Sequence, residues 1–251
     1  MLLFKILLLA AVLYAAVCLF FYVFQRSFIY RPTPLMPEHA GAMVVERPDA
    51  AIRVSAKPRV GTKALLFFGG NAEDVGITVP KLAELFPERA IYGMHYRGYS
   101  GSSGRASEAG LRDDARAVFA MVRERHPNVM LVGRSLGSSI AIGLAAEHTV
   151  SRLVLIAPFE SILRIAARTA PFLPMRLLLC DRYESWRYAP RVTCPTLLLA
   201  ASHDELVPMQ DTQRLQDAFR PGVSTLRVME GTDHNTVASV PAFYEALLDG
   251  R

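Results

Sequence analysis

The sequence predicts an α/β chain: a mainly parallel sheet flanked by helices on both faces, with a separate apolar helix at the N-terminus. Three observations predict it. Runs at residues 64–68, 129–132, 152–156 and 196–200 are almost continuously apolar, as strands buried on both faces are. These runs alternate with stretches of helical period; over residues 108–125, Leu111, Ala115, Val118, Phe119 and Val122 fall on one face. Finally, 251 residues suit one large core, and strand–helix alternation over that length specifies a sheet between two helical layers.

The chain opens with residues 6–24, which are almost wholly apolar. At about 1.5 Å per residue they are long enough to cross a hydrocarbon core of about 30 Å. Phe20, Phe21, Tyr22, Phe24, Phe28 and Tyr30 gather at the C-terminal end, as interfacial aromatic anchors do. A cleaved signal peptide is the rival. Against it, the stretch is long for a signal core and no small-x-small site follows; Val17 before Cys18 disfavours lipoprotein processing. Residues 1–25 are therefore expected to be an uncleaved single-pass membrane anchor in contact with lipid. Lys5 and the N-terminal amine on one side nearly balance Arg26 and Arg31 on the other, so the side facing the domain is left open. Pro32, Pro34 and Pro37 then predict a stiff, extended linker over residues 26–40. The catalytic domain is expected over residues 41–251.

Within that domain, residues 43–46 and 52–54 read as short edge strands, 64–68 as a buried strand and 79–86 as a helix. Strand 90–94, helix 108–125, strand 129–132, helix 138–146 and strand 152–156 follow. Residues 159–190 are too long for a simple crossover. In them, 161–168 reads as an amphipathic helix with Arg164 and Arg168 four apart on its polar face, and 172–179 continues as an apolar stretch. This insert is expected to be either a small apolar and basic lid or an ordinary crossover helix with a loop. Strand 196–200, helix 210–219, strand 224–229 and helix 240–248 complete the chain.

Composition narrows the function. The net charge is +5, and apart from Lys5, Lys57, Lys63 and Lys81 the basic residues are arginine. This fits a solvated surface or attraction to anionic lipid headgroups. No basic run or recognition motif points to nucleic acid. Cys18, Cys180 and Cys194 do not make a disulfide framework. Cys180 and Cys194 would pair only in an oxidising compartment and are otherwise expected as free, mostly buried thiols. No C-x-x-C or H-x-x-x-H spacing suggests a metal, and no cofactor is expected.

The stretch Gly133-Arg134-Ser135-Leu136-Gly137 carries the chemistry. It joins an apolar strand to a helix, which is the setting of a G-x-S-x-G nucleophile elbow. The sharp turn strains the serine backbone, and side chains at the flanking positions would collide with neighbouring elements. The alternative is a glycine-rich turn with a helix-capping serine. A serine hydroxyl needs a base, and the base needs an orienting acid. In the chain order Ser, Asp/Glu, His, the acid follows a later strand, where Asp204 stands with Glu205 as competitor. The base follows the last strand, where His234 stands; Asp233 beside it reads as a turn carboxylate. His203 precedes the acid in the same loop, and His39, His95, His126 and His148 fit no catalytic position. An oxyanion hole needs two N–H donors. Leu136 N–H follows the nucleophile, and Asn71 N–H lies in Phe68-Gly69-Gly70-Asn71-Ala72, after an early strand.

Taken together, these segments resemble the membrane-anchored, Bem46-like group of α/β-hydrolase fold proteins. Gly69-Gly70-Asn71-Ala72 resembles that group's His-Gly-Asn-Ala segment, and His95-Tyr96-Arg97-Gly98-Tyr99-Ser100 its Asp-Tyr-Arg-Gly-Tyr-Gly segment. The elbow, the stretch from Cys194 through Asp204 to Pro208, and Gly231 to Asn235 match as well. The resemblance covers about residues 60–245 and the anchor. Gly69 stands where the group has histidine, which predicts a more flexible loop, and His95 stands where it has an acid. Tyr96 and Arg97 read as braces beneath the site. The expected function is a serine hydrolase cleaving a small-molecule acyl ester or thioester near a membrane. A peptidase or amidase of the same fold, or an inactive membrane-tethered scaffold, are the alternatives.

Overall fold

The computed structural model describes residues 1–36 and 42–249; Pro37 and His39 lie outside the described residues. Eight strands form a single sheet: β1 (Met43–Arg47), β2 (Ala50–Lys57), β3 (Lys63–Phe68), β4 (Ala90–Met94), β5 (Asn128–Arg134), β6 (Arg152–Ile156), β7 (Thr196–Ala201) and β8 (Ser224–Met229). Their order is β1-β2-β4-β3-β5-β6-β7-β8. β1–β2 and β2–β4 pair antiparallel, and every other pair is parallel. The chain runs outward from β3 to β4 and then returns to β5 on the other side of β3. That reversal opens a crevice beyond the carboxyl ends of β3 and β5, where ligands of such sheets bind. Phe68 pairs with Gly133, Arg134 with Ile156, and Ala201 with Met229, so the loops that leave these strands emerge along one edge.

Both sheet faces are covered. Leu66, Phe68, Leu131 and Leu155 pack with Leu111, Val118, Ile140 and Leu144 of α3 (Glu108–Arg125) and α4 (Leu136–Glu147). Leu65, Phe67, Val132 and Leu199 pack the opposite face against α2 (Val75–Leu85) and α8 (Pro241–Leu248). Each such fully buried side chain contributes about 1.5–3 kcal/mol. The α2 helix begins at Val75, earlier than residue 79. Asp74 caps it by accepting a hydrogen bond from Gly76 N at 2.9 Å, and Pro80 is held inside the helix.

The apolar N-terminal helix, α1, runs Leu2–Ile29 and is exposed along most of its length. The segment after it is not a free spacer. Arg31 N donates to Asn71 Oδ1 and to Tyr99 Oη, both at 2.8 Å, and Ser100 N donates to Thr33 O at 2.7 Å. The proline stretch is thus bound along the domain as far as it is described. The insert over residues 159–190 folds into α5 (Ile162–Thr169), the short α6 (Met175–Leu178) and 3-10 turns at Ser185–Arg187 and Ala189–Arg191. Helix α7 (Met209–Asp217) follows β7. Both Cys180 and Cys194 are free thiols; Cys194 is buried as expected, but Cys180, just after α6 in the insert, is exposed.

Candidate active site

Ser135 sits between β5 and α4 with φ 48° and ψ −114°. A non-glycine residue in such a conformation costs about 1–3 kcal/mol and persists only if its surroundings impose it. They do. Ser135 N donates to Ile156 O at 2.8 Å, while Ser138 N and Oγ donate to Ser135 O at 2.9 and 2.6 Å. The flanking glycines are sterically required. A Cβ on Gly133 would come within 2.8 Å of Ser138 Cα, and one on Gly137 would collide with the Phe68 carbonyl.

Three sequence-predicted residues meet at this point. His234, in the loop after β8, has Nε2 3.0 Å from Ser135 Oγ. Its Nδ1–H donates to Asp204 Oδ2 at 2.7 Å. A carboxylate oxygen can only accept here, so it fixes Nδ1 as the protonated nitrogen and leaves Nε2 free to take the serine proton. The other Asp204 oxygen accepts from Leu206 N at 3.0 Å and Val207 N at 2.7 Å. Asp204 is buried, whereas Glu205 is exposed, so the geometry selects Asp204 as the histidine's partner. The loops after β7 and β8 are laced together: His203 N donates to Thr232 O, and Gly231 N to Ser202 Oγ, each at 2.9 Å. Asp233 caps its own turn, accepting from Asn235 N and Thr236 N at 2.8 and 2.9 Å; these bonds hold its carboxyl below the usual range.

The remaining described histidines are engaged elsewhere. His203 is exposed beside Ser202 Oγ, His95 contacts Ser55 Oγ, His126 contacts Tyr92 Oη, and His148 stacks on Phe119.

Leu136 N–H belongs to the first turn of α4, where backbone donors have no partner within the helix. Opposite it runs the loop after β3. A Cβ on Gly70 would lie 3.7 Å from that of Ser135. Gly70 N is engaged by Glu73 Oε2 at 2.7 Å, which leaves Asn71 as the next residue presented to the site. Asn71, Ser135 and Leu136 together line one cavity of about 340 Å³. Its remaining walls are largely apolar, with Phe159, Ile162, Ile165 and Leu206 from the domain and insert, and Phe21 and Phe28 from α1.

The Asn71 side chain is clasped on three sides. Nδ2 donates to Ile29 O at 2.7 Å, and Oδ1 accepts from Arg31 N and Tyr99 Oη, each at 2.8 Å. Burial pushes the Tyr99 phenol up to about 12, so it remains a donor. Gly69 does not leave the loop slack: Tyr96 Oη donates to its carbonyl at 2.6 Å. Arg97 braces the next layer, bidentate on buried Asp114 with both bonds at 2.8 Å, and those bonds hold its guanidinium firmly charged.

No protein-family model matches the chain. An uncharacterized protein of Mycobacterium tuberculosis is 31% identical over 263 aligned positions, which cover 96% of this chain and 88% of that one. The alpha/beta hydrolase domain-containing protein aho-3 of Caenorhabditis elegans is 30% identical over 191 positions, covering 73% of this chain and 55% of the relative. The chain thus spans little more than half of that relative's length. Among solved structures, alpha/beta hydrolase domain-containing protein 10 from mouse superposes with a TM-score of 0.62 at 18% identity, over 83% of this chain and 96% of that one. The chain belongs to the α/β-hydrolase fold family. Membership supports hydrolase activity.

Other residues of this α/β-hydrolase hold the site without having stood out in the sequence. Arg134, the first of the elbow's two variable positions, reaches Glu73 Oε2 at 3.4 Å and the His234 carbonyl at 3.4 Å. Glu73 also accepts from Thr78 Oγ1 at 2.7 Å. The pair therefore ties the loop after β3 to the histidine loop across the nucleophile. Gln25 and Asp181 do the same between α1 and the insert. Cys180 N donates to Gln25 Oε1 at 2.7 Å, Gln25 Nε2 donates to Leu178 O at 3.0 Å, and Arg26 Nε donates to Asp181 Oδ2 at 3.0 Å. The one local signal was polar Gln25 inside an aromatic-rich apolar run.

Proposed function

We propose that this α/β-hydrolase is a serine hydrolase that cleaves a carboxylic ester or thioester through an acyl-enzyme, on an acyl or lipid-like substrate beside a membrane. The observation that carries the reading is the unbroken Ser135–His234–Asp204 hydrogen-bond chain opening into an apolar cavity. Ser135 Oγ attacks the carbonyl carbon while its proton passes to His234 Nε2. The imidazolium is stabilised by Asp204, and the oxyanion accepts from Leu136 and Asn71 N–H. Collapse expels the alcohol or thiol, which takes the proton from His234. Water then attacks the acyl-enzyme, gives its proton to His234, and the acid and free Ser135 hydroxyl are released.

The cavity walls favour an acyl group over a peptide, since no charged side chain lines them among the described residues. Retention of α1 as an anchor is supported by its polar docking: cleavage after it would strip buried Asp181 of Arg26 and Asn71 of Ile29 O. A fluorophosphonate probe tests the chemistry. Labelling of the wild-type chain that vanishes in Ser135→Ala supports the acyl-enzyme; folded wild-type protein that resists the probe would favour the inactive scaffold.

A further inference from the structure

The α1 helix does more than tether: it forms part of the wall of the cavity that contains Ser135. Phe21, Gln25, Phe28 and Ile29 face the same space as Ser135. The insert lies against α1 far along its length, for Tyr14 Oη donates to Phe172 O at 2.9 Å. Helical side chains lean toward the N-terminus, so this contact lies level with Tyr14 or beyond it. Tyr14 lies inside the apolar run of residues 6–24, which at about 1.5 Å per residue is long enough to fill a hydrocarbon core of about 30 Å. Where that run lies in lipid, the tip of the insert beside Tyr14 meets the same apolar layer. The tip is built for that contact: Phe172 and Leu177 are 87% and 82% exposed, and Arg176 beside them is long enough to snorkel toward headgroups.

Resting on the hydrolase reading above, we propose that the insert tip and α1 form a membrane-inserted collar. Through it, a long acyl chain passes from the bilayer directly into the cavity, with its ester arriving at Ser135. The substrate class is then a long-chain acyl ester or thioester resident in the membrane, rather than a dissolved one. The cavity that would receive the chain holds Ser135 and is walled mainly by apolar residues of α1 and the insert, among them Phe21, Phe28, Ile162 and Met175.

The test uses the full chain in phosphatidylcholine–phosphatidylglycerol vesicles. In a Phe172→Trp, Trp186→Phe chain, lipids brominated on their acyl chains should quench the single tryptophan. Unquenched emission overturns insertion. Separately, Phe172→Asp with Leu177→Asp should lower kcat/KM at least tenfold on a long-chain acyl ester carried in the vesicles. On dissolved p-nitrophenyl acetate the same chain should stay within twofold, because neither side chain lines the cavity. Equal effects on both esters overturn the route. Absence of Ser135-dependent turnover on both esters by the wild-type chain would sink the hydrolase reading and the route with it; the quenching still decides insertion by itself.

Discussion

Replacing Asp204 with asparagine separates the orienting role of this carboxylate from its structural one. The side chain has two oxygens with different partners. Oδ1 accepts from Leu206 N and Val207 N at 3.0 and 2.7 Å, and Oδ2 accepts from His234 Nδ1 at 2.7 Å. In Asp204→Asn the two backbone N–H groups demand an oxygen, so the amide oxygen takes the Oδ1 place and the NH2 group faces His234. The reversed amide would set N–H against two N–H donors, at about 1–3 kcal/mol for each bond lost. His234 must then accept at Nδ1 and carry its proton on Nε2, facing Ser135 Oγ 3.0 Å away. That tautomer cannot take the serine proton. The expected loss in kcat is about 10⁴-fold, as for the analogous change in a serine protease triad. This is about 5.4 kcal/mol at 1.36 kcal/mol per tenfold. Stability should hardly change, with the melting midpoint within about 2 °C, because both backbone bonds survive. Asp204→Ala should lose about 2 kcal/mol of stability as well, by removing both. The assay is steady-state hydrolysis of p-nitrophenyl butyrate by the detergent-solubilised full chain, with a thermal melt on each variant. An asparagine variant that keeps more than about a tenth of kcat would refute the reasoning and turn attention to Glu205.

Further perturbations have equally definite outcomes. Gly137→Ala drives a methyl into the Phe68 carbonyl and should cost at least about 1–3 kcal/mol, read as a lower midpoint in denaturant; an unchanged midpoint would show that the elbow yields. Asn71→Ala keeps its own N–H but frees the loop from Ile29, Arg31 and Tyr99. It should lower kcat by up to about 10²-fold with little change in KM on a short ester, and a rise in KM alone would contradict it. Asp114→Ala leaves Arg97 without its buried bidentate partner and should destabilise by about 3–5 kcal/mol in chemical denaturation. Asp49→Ala, which removes an exposed partner, should do far less; equal losses would argue against the buried pair as the brace.

The elbow was legible because its requirements are local. A strained serine between two positions with no room for a Cβ leaves a pattern five residues long, and the flanking strand and helix are apolar with their own periods. The choice between Asp204 and Glu205 was not legible. They are neighbours with the same chemistry, and only the backbone donors of Leu206 and Val207, with His234 thirty positions away, distinguish them. The start of α2 at Val75 was not legible, because the capping bond from Gly76 N to Asp74 depends on the loop's path. Prolines after α1 read as a spacer because stiffness is intrinsic to them. That the segment is bound to the domain required Asn71, Tyr99 and Ser100 to be in place.

The sequence by itself determined the alternation of strands and helices, the placing of Ser135 and His234, and an acid at Asp204 or Glu205 between them in the chain. These follow from side-chain periods and turn chemistry that act over a few residues. Only the tertiary structure decided that α1 is part of the cavity wall. Its bonds join Gln25 to Cys180, Tyr14 to Phe172 and Ile29 to Asn71, residues far apart in the chain. An apolar helix carries the same signal whether lipid or protein covers it, so the surface against which it packs is set only when the remaining elements have folded.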